Sequence, residues 1–143
     1  LAKEMGATHL INSSKKEANI EIKKILDTSG LDVFIDNTGQ PLIIEMGYEM
    51  IKPQGRVVLV GVPKKGNNIN IYSLPLHFGK GLSGSQGGEA LPNIDIPRYQ
   101  GMLNAGRIKL KELITEELAL EDINQAIDNM RSGKMSGRCM IRM

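Results

Sequence analysis

The sequence predicts an α/β fold built on a doubly wound parallel sheet, and three observations support this. Two short apolar runs, Leu31–Asp36 and residues 56–61, have the length and the β-branched content of buried strands. Segments between and after them carry apolar residues at helical spacing. Glycine or proline stands at many of the junctions. Strands that alternate with helices need crossover connections, which make neighbouring strands parallel.

The N-terminal stretch predicts one short strand and one helix. Residues 1–6 are typical of the end of a helix that is closed by a glycine C-cap, Gly6. Because this opening has neither an initiator methionine nor a natural domain boundary, we expect the chain to be a piece of a longer protein. Residues 8–12 predict a short strand. The helix that follows ends at Ser29 and Gly30, and its apolar stripe comprises Ala18, Ile22, Ile25 and Leu26.

The middle of the chain predicts a strand, a helix and a second strand. Leu31–Asp36 is the first strand, and residues 37–40 form the loop after it. Pro41 suits the first turn of a helix. A turn at residues 52–55 precedes the strand at residues 56–61. The predicted apolar face of the helix comprises Leu42, Met46 and Met50.

The C-terminal half predicts further elements of both kinds. Residues 69–72 alternate apolar and polar side chains, as a half-buried strand does, and residues 81–85 predict a small-residue strand or turn. Asp95 can cap a helix that has Pro97 in its first turn and ends at Gly106. The last predicted elements are a strand at 113–118, a helix at 123–130 and a strand at 137–143.

Composition argues against several classes of protein. The formal net charge is +2 at pH 7, which provides little positive charge to neutralise nucleic-acid phosphates. Aromatic residues make up 3% of the chain, so few side chains could stack on bases. The longest apolar runs are far shorter than a membrane span. One cysteine, Cys139, and no visible signal peptide favour a cytoplasmic location. We therefore expect no nucleic-acid partner and no membrane partner.

Three loops follow successive predicted strands, where ligands of such sheets bind. They are residues 37–39, residues 61–63 and residues 85–88. Glycine in these loops would let the main chain approach a flat ligand closely. Each loop taken alone is better explained as a turn of the chain. Three of them at successive strand ends favour a ligand crevice.

Other site motifs are incomplete in this sequence. Gly61 and Gly66 have phosphate-loop spacing, but Asn67 and Asn68 stand where lysine and a hydroxyl residue are needed. The dinucleotide fingerprint G-x-G-x-x-G is absent. No spacing suggests a catalytic triad, so no catalytic residue is predicted. No metal site is predicted either, because the only histidines and cysteine are widely separated: His9, His77 and Cys139.

Two charged residues are singled out by position. Asp36 ends a predicted strand and could act as a general base, although accepting backbone hydrogen bonds or shaping the crevice rim is the favoured interpretation. Arg138 opens the last strand, where a guanidinium could hold a pyrophosphate through parallel hydrogen bonds. Composition alone would make Arg138 a surface residue.

The order of these pieces resembles the medium-chain dehydrogenase/reductase superfamily, and within it the zinc-type alcohol dehydrogenase family. The most specific stretches are Val-Gly-Val-Pro at residues 60–63 and Leu-Glu-Asp-Ile-Asn-x-Ala at residues 120–126. Residues 108–115 look more like the zinc-dependent enzymes than the zinc-free quinone and enoyl reductases. The other matching stretches are residues 1–9, 30–39, 55–61, 84–85, 133–134 and 137–138.

The resemblance implies cofactor contacts but no catalytic or metal-binding residue in this chain. Residues 37–39 would lie beside the riboses, and Val60 and Val62 beside the nicotinamide ring. Residues 85–86 would lie near its carboxamide, and Arg138 would hold the pyrophosphate. The implied cofactor-binding residues are Asn37, Thr38, Gly39, Val60, Gly61, Val62, Ser85, Gln86 and Arg138.

The resemblance also implies an architecture and an activity. Residues 1–110 would be the C-terminal part of an NAD(P)-binding Rossmann domain, hence a partial Rossmann-like sheet, and residues 111–143 a returning segment of the catalytic domain. The intact enzyme would transfer hydride between an alcohol or aldehyde and NAD or NADP, with NAD favoured. Its zinc ligands and glycine fingerprint would lie upstream, so this chain alone would be inactive.

A second copy of the chain is an expected partner. The sheet edge formed by residues 69–72 and residues 82–85 would pair with its copy in a homodimer. Two alternative functions stay open: a zinc-free quinone or enoyl reductase, and a non-catalytic nucleotide-binding domain.

Overall fold

A computed structural model describes all residues, 1–143, and has the predicted α/β fold with parallel strands only. No helix combines the length and apolar character needed to cross a membrane. The elements in chain order are α1 (Ala18–Leu26), β1 (Leu31–Asp36), α2 (Pro41–Met50), β2 (Ile51–Leu59), β3 (Gly81–Gly84), α3 (Pro92–Asn104), β4 (Ile114–Ala119), α4 (Ile123–Arg131) and β5 (Arg138–Arg142).

Residues 11–90 form one compact unit around a three-stranded sheet of order β1-β2-β3. The predicted turn at residues 52–55 lies inside β2 as an irregularity. There Ile51 pairs with Leu31, and the next pair joins Arg56 to Val33. Beyond it the register is regular up to the carboxyl ends of the strands.

Helix α2 covers one face of this sheet, and its predicted apolar face is only partly correct, because Met46 and Met50 are half-buried whereas Leu42 is exposed. Leu42 of the predicted apolar face is 79% exposed, and the buried residues of α2 are Ile44, Gly47 and Tyr48. The ring of Phe34 lies against Gly47, where a Cβ atom would overlap it. The missing side chain thus directs this side of the helix onto β1. Around the buried Tyr48, Ile51 and Val57 pack Leu31, Phe34, Leu59, Ile71 and Leu82.

The strand predicted at residues 69–72 is wrong, because this segment pairs with no strand. Side chains of α2 form hydrogen bonds with the backbone of this segment instead. The N–H of Asn70 donates to Glu45 Oε1 at 2.7 Å, and the Tyr48 hydroxyl donates to the Tyr72 carbonyl at 3.1 Å. No further strand pairs with β3, which is therefore one edge of the sheet, and β1 is the other.

Residues 1–10 and 91–143 form the second compact unit, in which β4 and β5 make a two-stranded parallel sheet. The glycine cap predicted at Gly6 is confirmed: φ is +102°, Gly6 N–H donates to the Lys3 carbonyl and Ala7 N–H donates to the Ala2 carbonyl. These two bonds satisfy carbonyls at the end of a helical turn. The predicted division at residues 110 and 111 stays a prediction.

The strand predicted at residues 8–12 is wrong as well. No strand of either sheet pairs with it, and a lone strand leaves its N–H and C=O groups unpaired. At its end Asn12 begins a turn instead, because its side-chain oxygen accepts the N–H of Ser14 at 3.0 Å. Local hydrogen bonding of this kind competes with strand formation.

Helix α3 begins earlier than the predicted cap at Asp95. Pro92 occupies its first turn, and Pro97 lies inside the helix. The Asp95 carboxylate accepts the Leu91 N–H at 2.8 Å and pairs with Arg98 at 2.8 Å. Asp95 thus satisfies an N–H at the start of the helix, but from a position inside the first turns and not from the N-cap. The aspartate correctly indicated the start of a helix, which begins earlier than predicted, at Pro92.

Candidate functional site

The three strands of the sheet β1-β2-β3 end level with one another. Asp36 is in register with Leu59, and Leu59 is in register with Gly84. The three loops singled out in the sequence therefore start from the same edge of the sheet. A crevice of about 450 Å³ opens there, lined by Leu59, Val60, Gly61, Val62, Pro63, Gly84, Ser85, Gln86 and Glu89.

Asp36 organises the first loop through hydrogen bonds. The side chain is buried, with 1% of the residue exposed. Its carboxylate accepts the Thr38 hydroxyl at 2.6 Å, the Thr38 N–H at 3.0 Å and the Gly39 N–H at 2.9 Å. Burial favours a higher pKa, but the bonds from Thr38 and Gly39 outweigh it and hold the pKa of Asp36 below its usual value. The interpretation of Asp36 as a hydrogen-bond acceptor is confirmed.

Gly39 and Gly61 bring the first and second loops into backbone contact. A Cβ atom on Gly61 would lie 2.5 Å from the carbonyl carbon of Asn37 and 2.5 Å from the nitrogen of Thr38. A Cβ atom on Gly39, whose φ is +66°, would lie 2.7 Å from the carbonyl of Val62. Only glycine leaves room for this approach at either position.

The Thr38 hydroxyl uses both its donor and its acceptor capacity within the chain. It donates to Asp36 and accepts the N–H of Gln40 at 3.1 Å, one residue before α2 begins. A ligand would therefore meet the exposed Asn37 side chain and the main chain of this loop rather than the threonine hydroxyl.

The second loop and Val60, which directly precedes it, present apolar side chains and a free donor. Val60 is 49% exposed and Val62 is 89% exposed. The N–H groups of Val60 and Gly61 both donate to the Asp36 carbonyl, at 2.8 and 2.9 Å, whereas the N–H of Val62 has no protein acceptor. This loop can offer a ligand an apolar wall and one main-chain donor.

The third loop offers main-chain groups of a different kind. The N–H of Ser85 donates to the Leu59 carbonyl at 2.9 Å. The Ser85 carbonyl and the Gln86 N–H have no protein partners. Three successive residues, Gly87, Gly88 and Glu89, have positive φ angles of 58°, 66° and 54°. The turn carries Glu89 to the crevice, a residue that the sequence did not single out. Adjacent glycines were the available signal.

Arg138 begins β5 and belongs to the unit formed by residues 1–10 and 91–143. It is exposed and pairs in the ladder with Ile114. Its guanidinium makes no ion pair within the chain. The same unit holds a larger cavity of about 650 Å³, whose lining combines aliphatic and methionine side chains with charged residues, glycines and Tyr99.

No group of histidine, cysteine, aspartate or glutamate side chains is gathered as a metal site. A zinc ion needs three or four converging ligands of these types. The donor set of this chain therefore does not fit a zinc ion.

Comparison with known proteins gives a consistent result. Residues 1–105 match the family model described as zinc-binding dehydrogenase. "Alcohol dehydrogenase 1" of Trifolium repens is 30% identical over 146 residues, covering 100% of this chain and 38% of that protein. "NAD-dependent alcohol dehydrogenase" of Saccharolobus solfataricus is 31% identical, covering 96% and 38%. The crystal structure of benzyl alcohol dehydrogenase from Acinetobacter calcoaceticus has a TM-score of 0.86 at 29% identity, covering 99% and 39%.

The chain thus spans about 38% of the length of the curated relatives it matches.

Proposed function

Because the chain belongs to the zinc-binding dehydrogenase family, we propose that the crevice at the carboxyl ends of β1, β2 and β3 binds the nicotinamide end of NAD or NADP. One observation carries the proposal: Val60 and Val62 are exposed in the crevice, and the N–H of Val62 is free. An apolar wall beside an unpaired main-chain donor suits a flat ring that bears a carboxamide.

Other residues of the loops at this edge of the sheet are assigned to the rest of the cofactor. Gly39 and Gly61 keep side chains out of the junction between two loops. Asn37 is exposed on the first loop and is assigned to the ribose hydroxyls. The Ser85 carbonyl and the Gln86 N–H are assigned to the carboxamide. When bound, the nicotinamide accepts or gives a hydride, and the residues of this chain bind and orient it.

For the whole protein we propose hydride transfer between an alcohol or aldehyde and the nicotinamide, with NAD preferred over NADP. The alcohol dehydrogenase relatives support the substrate class, and the relative named NAD-dependent supports the cofactor. Arg138 is assigned to the pyrophosphate, because its guanidinium is exposed and has no ion-pair partner in the chain. Residues 1–110 are assigned to the cofactor domain and residues 111–143 to the catalytic domain.

Assembly and location are further parts of the proposal. The free edge of β3 would pair with its copy in a homodimer, because an edge strand presents unpaired N–H and C=O groups. Light scattering of the full-length protein tests this, and a monomer would contradict it. The proposed location is the cytoplasm, where a single free cysteine, Cys139, stays reduced.

Titration of the full-length protein with NADH and with NADPH tests the proposed function. Cofactor fluorescence should change on binding, and NADH should bind more tightly. ADP-ribose, which lacks the nicotinamide, is the matched control, and it should compete more weakly than NAD. A protein that binds neither dinucleotide, or that binds ADP-ribose as tightly as NAD, would rule out a nicotinamide site in this crevice.

A further inference from the structure

Asp36 contacts two loops at this edge of the sheet with two different groups. Its carboxylate accepts hydrogen bonds from Thr38 and Gly39 in the first loop. Its backbone carbonyl accepts the N–H groups of Val60 and Gly61 at the start of the second. One residue at the end of β1 therefore fixes both loops.

The side chain of Asp36 acts on a ligand only through its neighbours. The residue is 1% exposed, and each carboxylate oxygen already accepts a hydrogen bond. Such a carboxylate has no access to a ligand in the crevice. A proton abstraction by Asp36 would also require breaking the bonds that order the loop.

Thr38 extends this arrangement toward α2. Its hydroxyl is the donor of the short 2.6 Å bond to Asp36 and the acceptor for the Gln40 N–H. Gln40 immediately precedes the first residue of α2. A chain of hydrogen bonds thus runs from the end of β1 through the loop to the start of the helix, and hydrogen bonds to an ionised acceptor are the stronger kind.

We infer that Asp36 is a positioning residue for the cofactor, which sets cofactor affinity through the Thr38–Gly39 turn without touching the cofactor. This inference rests on the proposed function. It predicts that the Thr38 hydroxyl matters for cofactor binding because of its hydrogen bonds to Asp36 and Gln40, which are both made within the chain.

Two substitutions at Thr38 separate this role from a general structural one. Thr38→Val keeps the shape of the side chain and removes the hydroxyl, whereas Thr38→Ser retains the hydroxyl. Thr38 is exposed, so neither variant disturbs the core. Asp36→Asn is a third variant: its amide nitrogen would replace one acceptor oxygen, so that two donors face each other at Gly39 or Thr38.

The experiment measures the NADH dissociation constant and the steady-state kinetics of the full-length protein. We expect Thr38→Val to weaken NADH binding roughly tenfold, as loss of a charge-assisted hydrogen bond does, with KM for the cofactor raised and kcat nearly unchanged. Thr38→Ser should restore binding to within about twofold of the wild type, on the same scale. Melting temperatures of the three variants report their folding.

The possible failures are distinguishable. A wild-type protein that binds no NADH or NADPH overturns the proposed function and the inference together. A wild type that binds NADH, with Thr38→Val binding equally well, overturns the inference alone. A Thr38→Ser variant as weak as Thr38→Val does so too, because the hydroxyl would then not be the group that matters. If Asp36→Asn does not fold, the two Thr38 variants still decide the question.

Discussion

Gly39 and Gly61 lie at a close backbone contact between the first and second loops. A methyl group on Gly61 would overlap the backbone nitrogen of Gly39, and one on Gly39 would overlap the carbonyl of Val62. The two loops approach backbone to backbone at the point where β1 and β2 end. The shape of the crevice depends on this contact, because the second loop carries Val62 and directly follows Val60.

Gly61→Ala is expected to lower the free energy of unfolding by about 1–3 kcal/mol, the cost of overpacking. The clash is with backbone atoms, which cannot rotate away as a flexible side chain can. Urea unfolding measures the change. Gly101→Ala is the control, because Gly101 lies in α3 with open space around it, and alanine should raise stability by about 0.4–1 kcal/mol. Equal effects of the two substitutions would contradict the close contact.

Val62→Pro is expected to weaken NADH binding severalfold, whereas Val62→Ile should bind nearly normally. Proline removes the free N–H that is assigned to the carboxamide, and isoleucine keeps it. Fluorescence titration with NADH measures both variants, and ADP-ribose, which has no carboxamide, should bind both alike. If both variants bind NADH equally well, the N–H of Val62 is not a cofactor contact.

The stability supplied by Asp36 is expected to disappear in acid. Its folded pKa lies below the value of about 3.9 for an ordinary aspartate, so its contribution is present above that pH and is lost as the pH falls through the folded pKa. Urea unfolding of the wild type and Asp36→Asn, repeated from neutral pH downward, measures the difference between them. The difference should be constant near neutrality and narrow in acid; a constant difference at every pH would exclude the lowered pKa.

Arg138→Ala is expected to raise the dissociation constant for NADH by about tenfold or more in the full-length protein, since charge-assisted hydrogen bonds to a pyrophosphate would be lost. Arg142→Ala is a control in the same strand, because Arg142 pairs with Glu117 instead. The KM for the alcohol should change less than the affinity for the cofactor. An unchanged NADH affinity would make Arg138 an ordinary surface residue.

The fold was largely predictable because its strongest signals are local. Leu31–Asp36 is a short apolar run between polar stretches, and Pro41 marks the first turn of α2 wherever the rest of the chain lies. Gly6 likewise caps a turn through bonds within seven residues. Periodicity and capping are properties of neighbouring residues, so they are legible in one sequence.

Two of the errors, at α2 and at residues 69–72, arise where contacts between distant residues decide the outcome. The buried side of α2 follows from the contact of Gly47 with Phe34, and methionine spacing does not reveal it. Residues 69–72 alternate like a strand, yet Glu45 and Tyr48 of the helix take their hydrogen bonds. The loops of the crevice were found from glycine positions, whereas the bonds that order them depend on the burial of Asp36.

The division of the chain into two units has a consequence for vectorial synthesis on the ribosome. The unit of residues 11–90 is continuous, and its three strands pair in sequence order, so each pairing closes a loop of moderate length. The other unit joins residues 1–10 to residues 91–143. Residues 1–10 are therefore synthesised before the continuous unit, and the rest of their own unit is synthesised after it. We expect co-translational protease protection to begin within residues 11–90 before residues 91–143 have left the ribosome.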